Sequence, residues 1–174
     1  MNLFDLDIAI LKFFNQPFLF YLNFLFIFVI YSVYGYLVLL LYIYFKGGDK
    51  KILCRLILSA LIGIILVNAL KYSIGRPRPY ETFPEINKIL VRADPSFPSS
   101  HVFISFLCFS FLPKEFKLFR KLSIIYLLLL IPIGTMYTGV HYPSDVLAGA
   151  IIGLLIPKII SENLVDRLTK RIFK

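Results

Sequence analysis

Cysteine is scarce in this sequence, since Cys54 and Cys108 are the only two in 174 residues. Both fall near or inside hydrophobic segments without metal-ligand spacing around them, which supports neither a disulfide framework nor a zinc site. Acidic residues are also few, ten against nineteen Lys and Arg, giving a formal net charge of +9. RNA- and DNA-binding signatures are missing, and the basic residues lie mostly in short loops, so we expect no nucleic-acid partner.

The N-terminus lacks the basic region and the small-residue cleavage site of a secretory signal, and it carries Asp5 and Asp7 instead. We therefore expect no removable signal peptide. Residues 3 to 14 are amphipathic, because Asp5, Lys12 and Gln16 recur at i, i+7 and i+11 among apolar residues. Residues 1–16 are predicted to form an interfacial helical arm.

Hydrophobic residues are abundant: they make up 59% of the chain, and the mean hydropathy is +0.81. From Phe18 to Phe45 no residue is charged, a run well beyond the roughly 20 residues that cross a bilayer. The sequence predicts an all-α, polytopic membrane helix bundle over residues 17–174. Its five predicted spans cover about 17–45, 52–72, 98–113, 122–140 and 143–161, of which the third is short for a full crossing.

The basic residues are distributed unequally between the two sides of this bundle. One side carries a net charge of +9, from thirteen basic and four acidic residues, whereas the charges on the other side cancel. Because cytoplasmic loops are enriched in Lys and Arg, the first side is predicted to be cytoplasmic. The loops at 73–98 and 137–143, with both histidines, then face the periplasm of a bacterium.

Three short stretches with chemically active residues each lie at the end of a predicted span: KYSIGRPRP at 71–79, FPSSH at 97–101 and GVHYPSD at 139–145. The first holds Lys71 and Arg78 beside two prolines that stiffen the loop. Taken alone, this stretch fits two interpretations equally well. It can form part of an anion site, or it can hold a snorkelling lysine and arginines that bind lipid headgroups nonspecifically.

The other two stretches favour an anion site. Ser99 is a natural N-cap, and a helix N-terminus suits a phosphate oxyanion, although an isolated SSH is more often an ordinary cap with an interfacial histidine. Asp145 can reach back to His141, which would fix the imidazole tautomer and leave one nitrogen as a nucleophile. Two histidines, a carboxylate and several cations on one membrane face provide what phosphoryl transfer needs without a metal or another cofactor.

In this order and spacing, the three stretches resemble the type 2 phosphatidic acid phosphatase superfamily, which also contains the vanadium haloperoxidases. The pattern KxxxxxxRP is fully matched from Lys71 to Pro79, PSGH is matched at 98–101 with Ser100 replacing glycine, and HxxxD is matched at the end of the third motif. The resemblance runs from about residue 52 to 155. It implies that His141 is a nucleophile forming a phosphohistidine, that Asp145 orients it and that His101 is the general acid.

The same resemblance implies that Lys71, Arg78, Ser99 and the Ser100 amide hold the phosphate. One position departs from the family, because Gly134-Thr135 stands where Ser-Arg is expected. A charge-assisted bond of about 1.5 to 3 kcal/mol is thereby missing, which could weaken transition-state binding by one to two orders of magnitude. Our hypothesis is that Arg76 or Arg92 replaces it.

The sequence therefore predicts a bacterial inner-membrane phosphatase that acts on a lipid phosphomonoester or pyrophosphate at the periplasmic face. Undecaprenyl pyrophosphate, phosphatidylglycerophosphate and lipid A 1-phosphate are equally compatible, and no obligate protein partner is evident. Two alternatives stay open: phosphotransfer from lipid to lipid, and a non-catalytic lipid-binding member of the family. A transporter or channel is disfavoured because no charged residue lies deep in a predicted span.

Overall fold

A computed structural model describes residues 3–16, 20–115 and 117–173. The structure is 76% helix and has no strand among the described residues, which confirms the predicted all-α class. The helices in chain order are α1 (Leu3–Phe14), α2 (Phe20–Lys46), α3 (Lys50–Ile74), α4 (Pro79–Thr82), α5 (Ser100–Ser110), α6 (Lys117–Ile125), a π-helical turn (Tyr126–Leu130), α7 (Ile131–Tyr137), α8 (Pro143–Ile159) and α9 (Glu162–Ile172).

Judged by length and composition, the described part of the structure has fewer membrane-crossing segments than the five that the sequence predicts. Within the described residues, three helical stretches qualify: Tyr21–Lys46, Lys50–Thr82 and Lys117–Tyr137. The pair α8 and α9, bent by 74°, gives a fourth if it is one span, whereas α5 has only 11 residues. Each of the five predicted segments contains a helix, but five crossings stay a prediction. The predicted start of the first span at residue 17 lies outside the described residues.

Large apolar side chains face outward along the long helices. On α2, Tyr21 is 81% exposed and Phe28 is 71% exposed, and on α3 Ile65 is 69% exposed. In water such a surface would be strongly unfavourable, but in lipid it is the expected exterior of a membrane helix. Together with the hydropathy, these residues identify a membrane-spanning protein.

The centre of the bundle is the close crossing of α5 and α8, which two glycines permit. A Cβ atom on Gly149 would lie 2.5 Å from the Ser99 carbonyl oxygen, and one on Gly153 would lie 2.6 Å from the Phe103 oxygen. The two helices therefore begin side by side, and the Ser99 amide donates to the Asp145 carbonyl oxygen over 3.1 Å. This contact brings the second and third sequence stretches together.

The first stretch arrives from α3, which ends at Gly75. This glycine adopts the left-handed conformation, with φ of 61°, and its amide donates to the Lys71 carbonyl oxygen. Glycine suits this C-terminal position because it has no Cβ to clash there. The chain then turns toward the N-termini of α5 and α8, carrying Arg76 and Arg78 with it.

Helix α1 packs over the same end of the bundle. Its buried face presents Asp7, Ile8 and Leu11, and the apolar pair contacts a cluster of Ile86, Met136 and Tyr142. Phe4 and Phe13 are exposed on the other face, at 53% and 74%. The helix thus forms where the sequence predicts one, and its location at the membrane interface stays a prediction.

Candidate active site

The residues of the three stretches meet at one end of the bundle, and most of them are buried. Ser99 and Asp145 are fully inaccessible, and Lys71, Arg78, His101 and His141 are at most 3% exposed. Buried ionisable groups are costly unless they pair, and such clusters are enriched at functional sites. The structure therefore brings the predicted residues into one compact polar centre, while their chemical roles stay predictions.

His141 and Asp145 face each other across the start of α8. The Asp145 Oδ2 atom lies 3.5 Å from His141 Nδ1, within ion-pair range but too long for a good hydrogen bond. Asp145 Oδ2 also accepts from the Tyr142 amide at 2.9 Å, which ties the carboxylate to the loop that carries His141. Because Nδ1 faces the carboxylate, Nε2 is the nitrogen left for a substrate atom.

Burial lowers the pKa of His141 from 6.5 to about 4, although the neighbouring Asp145 carboxylate acts in the opposite direction. Removing the imidazole from water disfavours its charged form, and that effect outweighs the attraction of the carboxylate. The ring is therefore neutral at neutral pH. A neutral imidazole keeps the lone pair that a nucleophile requires.

The stability of the protein should depend on the protonation of His141. The folded pKa lies below that of the unfolded chain, so the unfolded state takes up the proton first, and stability falls as the pH decreases from 6.5 to about 4. We expect about 3 kcal/mol of stability to be lost in this window, since each tenfold change in proton affinity is worth about 1.4 kcal/mol.

Thermal unfolding in detergent between pH 7 and pH 4 measures this loss. The Tm of wild type should fall more steeply than that of His141→Asn, which lacks the titrating ring. Both proteins keep His101, so the difference between the two curves reports the removal of the His141 ring. Parallel curves would contradict the assignment.

His101, one residue into α5, is enclosed by aromatic rings. The rings of Tyr31 and Tyr34 both lie 5.4 Å from it, centroid to centroid, in edge-to-face geometry. Among the described residues neither imidazole nitrogen has a hydrogen-bond partner. A buried imidazole with two unpaired nitrogens can give a proton to a bound group or accept one from it.

Lys71 and Arg78 are both tied to the loop before α5. The Lys71 ammonium donates to the Pro95 carbonyl oxygen at 2.6 Å. Arg78 spreads its guanidinium between the Asp94 backbone oxygen, at 2.9 Å from Nε, and the Val140 oxygen, at 2.7 Å from Nη1. The last bond fixes the residue that precedes the nucleophile candidate. Arg78 thus positions the His141 loop as well as supplying charge.

Asp94 is a resident counter-ion of these cations. Its carboxylate lies 3.2 Å from Lys71 Nζ, 3.0 Å from Arg78 Nη2 and 3.1 Å from Arg92 Nε. Partial burial would raise the pKa of this carboxyl, but Arg92, Lys71 and Arg78 together hold the pKa below its usual value. Asp94 is therefore ionised and shares the cations that the sequence predicts for phosphate.

Arg76 contacts Asp145 and not the Lys71–Arg78 pair. Its Nη1 atom donates to Asp145 Oδ1 and to Ser144 Oγ, both at 2.7 Å, and its guanidinium stacks 3.7 Å above the Tyr142 ring. Its predicted role in phosphate binding stays a prediction, but these contacts direct the guanidinium toward the carboxylate that faces His141.

Arg92 lies nearer the cation cluster. It donates to Asp94 Oδ1 and to the Tyr31 hydroxyl, both at 3.1 Å, and the Tyr31 ring in turn contacts His101. Thr135, which occupies the position of the family arginine, is fully buried and donates its hydroxyl to the Pro132 oxygen at 2.8 Å. Thr135 therefore supplies no charge at the position of the family arginine, whereas Arg92 presents a cation near the site.

Sequence reasoning did not assign Asp94 or Asp7 to this centre. Asp94 carried a signal in the sequence, because it lies between Arg92 and the PSSH motif, four residues before Pro98. Asp7 carried another, since it falls off the polar face defined by Asp5, Lys12 and Gln16. A charge on the apolar side of an amphipathic helix indicates a buried partner.

A search of known protein families gives a match to the PAP2 superfamily over residues 52–167. The chain belongs to the PAP2 superfamily. This confirms the resemblance predicted from the three motifs. The matched range contains Lys71, Arg78, His101, His141 and Asp145, but the N-terminal helix α1 lies outside it.

Two solved structures and one further relative are similar to this chain. Aquifex aeolicus LpxE superposes with a TM-score of 0.77 at 28% identity, over 88% of this chain and 93% of that one. A Bacillus subtilis PAP2-type phosphatidylglycerolphosphate phosphatase gives 0.69 at 23% identity, over 97% and 86%. The bacitracin transport permease protein BcrC of Bacillus licheniformis is 40% identical over 81 residues, 45% of this chain but only 38% of that protein.

Other binding chemistry has little support in the described part of the chain. It contains no group of three or more His, Cys, Asp or Glu side chains placed to hold a metal ion. Cys54 and Cys108 are both buried free thiols. Independence from metals and cofactors stays a prediction for this PAP2 protein.

Proposed function

We propose that this protein is an integral-membrane lipid phosphatase whose catalytic centre lies at the periplasmic face of a bacterial inner membrane. The observation that carries the proposal is the buried cluster itself. A neutral histidine beside a carboxylate, a second histidine with unpaired nitrogens and a pair of cations occupy one end of the bundle. These are the groups that metal-free phosphoryl transfer requires.

The reaction proceeds in two displacements. The Nε2 lone pair of His141 attacks phosphorus, the bond from phosphorus to the lipid oxygen breaks, and His101 gives its proton to that oxygen. Water then attacks the phosphorus of the phosphohistidine, the bond from phosphorus to Nε2 breaks and returns its electron pair to His141, the proton of the water passes to His101, and inorganic phosphate leaves. Asp145 stabilises the charge that develops on the His141 ring.

Substrate binding itself would prepare His101 for this role. In the free protein its buried ring lacks a hydrogen-bond partner among the described residues. A phosphate dianion beside it supplies an opposite charge and an acceptor, and both favour the protonated imidazole. Lys71 and Arg78, with Ser99 and the Ser100 amide at the start of α5, are the proposed phosphate ligands.

The substrate class is a phosphorylated lipid because the site lies at the end of membrane-spanning helices. Undecaprenyl pyrophosphate, phosphatidylglycerophosphate and lipid A 1-phosphate all place a phosphate at headgroup depth. The Bacillus subtilis neighbour is named a phosphatidylglycerolphosphate phosphatase, but at 23% identity it supports the fold alone. The choice among the three lipids therefore belongs to experiment.

Phosphate release from these three lipids in detergent micelles tests the proposal, with His141→Ala as the paired control. Release by wild type and not by the variant supports it. Transfer of labelled phosphate to an acceptor lipid would identify a phosphotransferase instead. Equal background from both proteins on all three lipids would favour a non-catalytic lipid-binding protein.

Arg92 is the residue that we expect to replace the missing family arginine. Arg92→Ala should lower kcat/KM by about 10- to 100-fold, the loss of one charge-assisted bond to phosphate. Lys88→Ala is the matched control, because Lys88 is an exposed cation of the same loop, over the Tyr80 ring. Unchanged kinetics of Arg92→Ala would show that no replacement occurs at this position.

A further inference from the structure

Asp7 of α1 has a buried position that the proposed chemistry does not use. It is 8% exposed and accepts three hydrogen bonds. The Ser144 amide and hydroxyl donate to it at 2.8 and 2.5 Å, and Arg76 Nη2 donates at 3.0 Å. A carboxylate buried with three donors is strongly fixed in place.

Arg76 lies between this carboxylate and the one that faces the nucleophile. Its Nη2 atom contacts Asp7, while its Nη1 atom contacts Asp145 Oδ1 at 2.7 Å. The other Asp145 oxygen faces His141 Nδ1. The four side chains therefore form one continuous series from the N-terminal helix to the nucleophile.

The charges explain why both ends are needed. Without Asp7, the guanidinium would keep only contacts to the start of α8, namely Asp145, Ser144 and the Tyr142 ring, whereas the ion pair with Asp7 also anchors it to α1. Arg76 is only 22% exposed, so these ion pairs are poorly screened by solvent. The Asp145 carboxylate then receives fixed donors on both oxygens, from Arg76 and from the Tyr142 amide.

We propose that Asp7 is a positioning residue of the catalytic centre, acting through Arg76 to orient Asp145 and hence His141. The proposal rests on the proposed function for its kinetic consequence, but its geometric consequence is independent of turnover. It makes α1, which lies outside the matched PAP2 range, a part of the active site.

Other residues also hold α1 against the bundle. A substitution of Asp7 should therefore leave the helix in place. Asn15 donates to the Tyr137 carbonyl oxygen at 2.7 Å and accepts from the Asn87 amide at 2.6 Å. Lys12 forms an ion pair with Glu85 at 2.8 Å, and both side chains are about half exposed. Lys12→Gln is the matched control, because it removes a charge from the same helix without touching the series.

Steady-state kinetics on the best lipid substrate provide the first test. Asp7→Asn should lower kcat by about 10- to 100-fold, the usual cost of losing an orienting partner, and leave KM within about twofold. Lys12→Gln should match wild type. A rise in KM alone, or an equal loss in Lys12→Gln, would overturn the proposal in favour of general docking of α1.

A double-mutant cycle with Arg76→Gln tests the route. If Asp7 acts through Arg76, Asp7→Asn should cause no further loss of kcat in the Arg76→Gln background. Losses that multiply would show that Asp7 acts separately, through its cap on Ser144, and would overturn the proposed route.

The tautomer of His141 can be measured without turnover. The chain has two histidines, so ¹⁵N-histidine labelling gives only two imidazoles, which His141→Asn assigns. Wild type should hold the proton on Nδ1, facing Asp145, and Asp7→Asn and Arg76→Gln should both populate the other tautomer. An unchanged tautomer in both variants would overturn the positioning role. A shift in both, with wild type inactive on every lipid, would refute the lipid phosphatase and leave the positioning role standing.

Discussion

His141→Ala is expected to reduce lipid phosphate release by at least about 10⁴-fold, because the variant loses the atom that forms the covalent intermediate. Its neighbours are not arranged to substitute for it. The Asp145 carboxylate faces the ring from the Nδ1 side, and Arg78 and Lys71 are cations. Without His141, water would have to attack the lipid phosphate directly, and this reaction would have a higher activation barrier than the two-step route.

Two measurements check this expectation. Initial rates of phosphate release compare the variant with wild type, and acid-labile ³²P on the protein after rapid mixing with labelled lipid detects the phosphohistidine. The label should be present in wild type and absent from His141→Ala. A variant that still becomes labelled would place the nucleophile elsewhere, with His101 the first residue to examine.

Arg78→Ala is expected to cost both activity and stability. Loss of a cation that stabilises a transferring phosphoryl group lowers turnover by about 10³-fold or more. In the intact protein, Arg78 is 2% exposed and donates to the Asp94 carboxylate and to the Val140 carbonyl oxygen. The variant removes both of these hydrogen bonds. Because Asp94 keeps Lys71 and Arg92 as counter-ions, the expected destabilisation is about 1 to 3 kcal/mol, the cost of leaving a buried acceptor unpaired.

Arg78→Lys separates these two effects. Lysine retains the charge but cannot reach Asp94 and Val140 together with a planar fork, so stability should recover in part and turnover should remain low. Arg167→Ala, at an exposed arginine on α9, controls for the loss of a cation. Wild-type kinetics in Arg78→Lys would show that the fork geometry is dispensable.

The gathering of the three motifs could be predicted because each one lies where a span meets the interface, and alternate spans return to the same face. Prolines in all three stretches also mark these boundaries in the sequence. The close crossing of α5 and α8 was beyond it, since Gly149 and Gly153 read as ordinary small residues in an apolar helix until the facing backbone is known.

The direction of individual charged side chains could not be predicted. Arg76 and Arg78 are two residues apart, yet one contacts Asp145 and the other contacts Asp94. The choice depends on which carboxylates the distant segments deliver, and Asp7 arrives from a helix 69 residues away in sequence. Such contacts are determined by tertiary packing, which local patterns do not encode.

The carboxylate of Asp94 has a consequence for the energetics of turnover. If phosphate binds at Lys71 and Arg78, it enters a site already occupied by an anion, so binding is an exchange of one anion for another. Only the difference between the two sets of ion pairs contributes to affinity. A phosphate monoester carries a charge of about −1.5 to −2 at neutral pH, so it can compete successfully with a single carboxylate for these cations. After hydrolysis, the same carboxylate competes with the product, so the protein carries its own displacing ion for the release of phosphate.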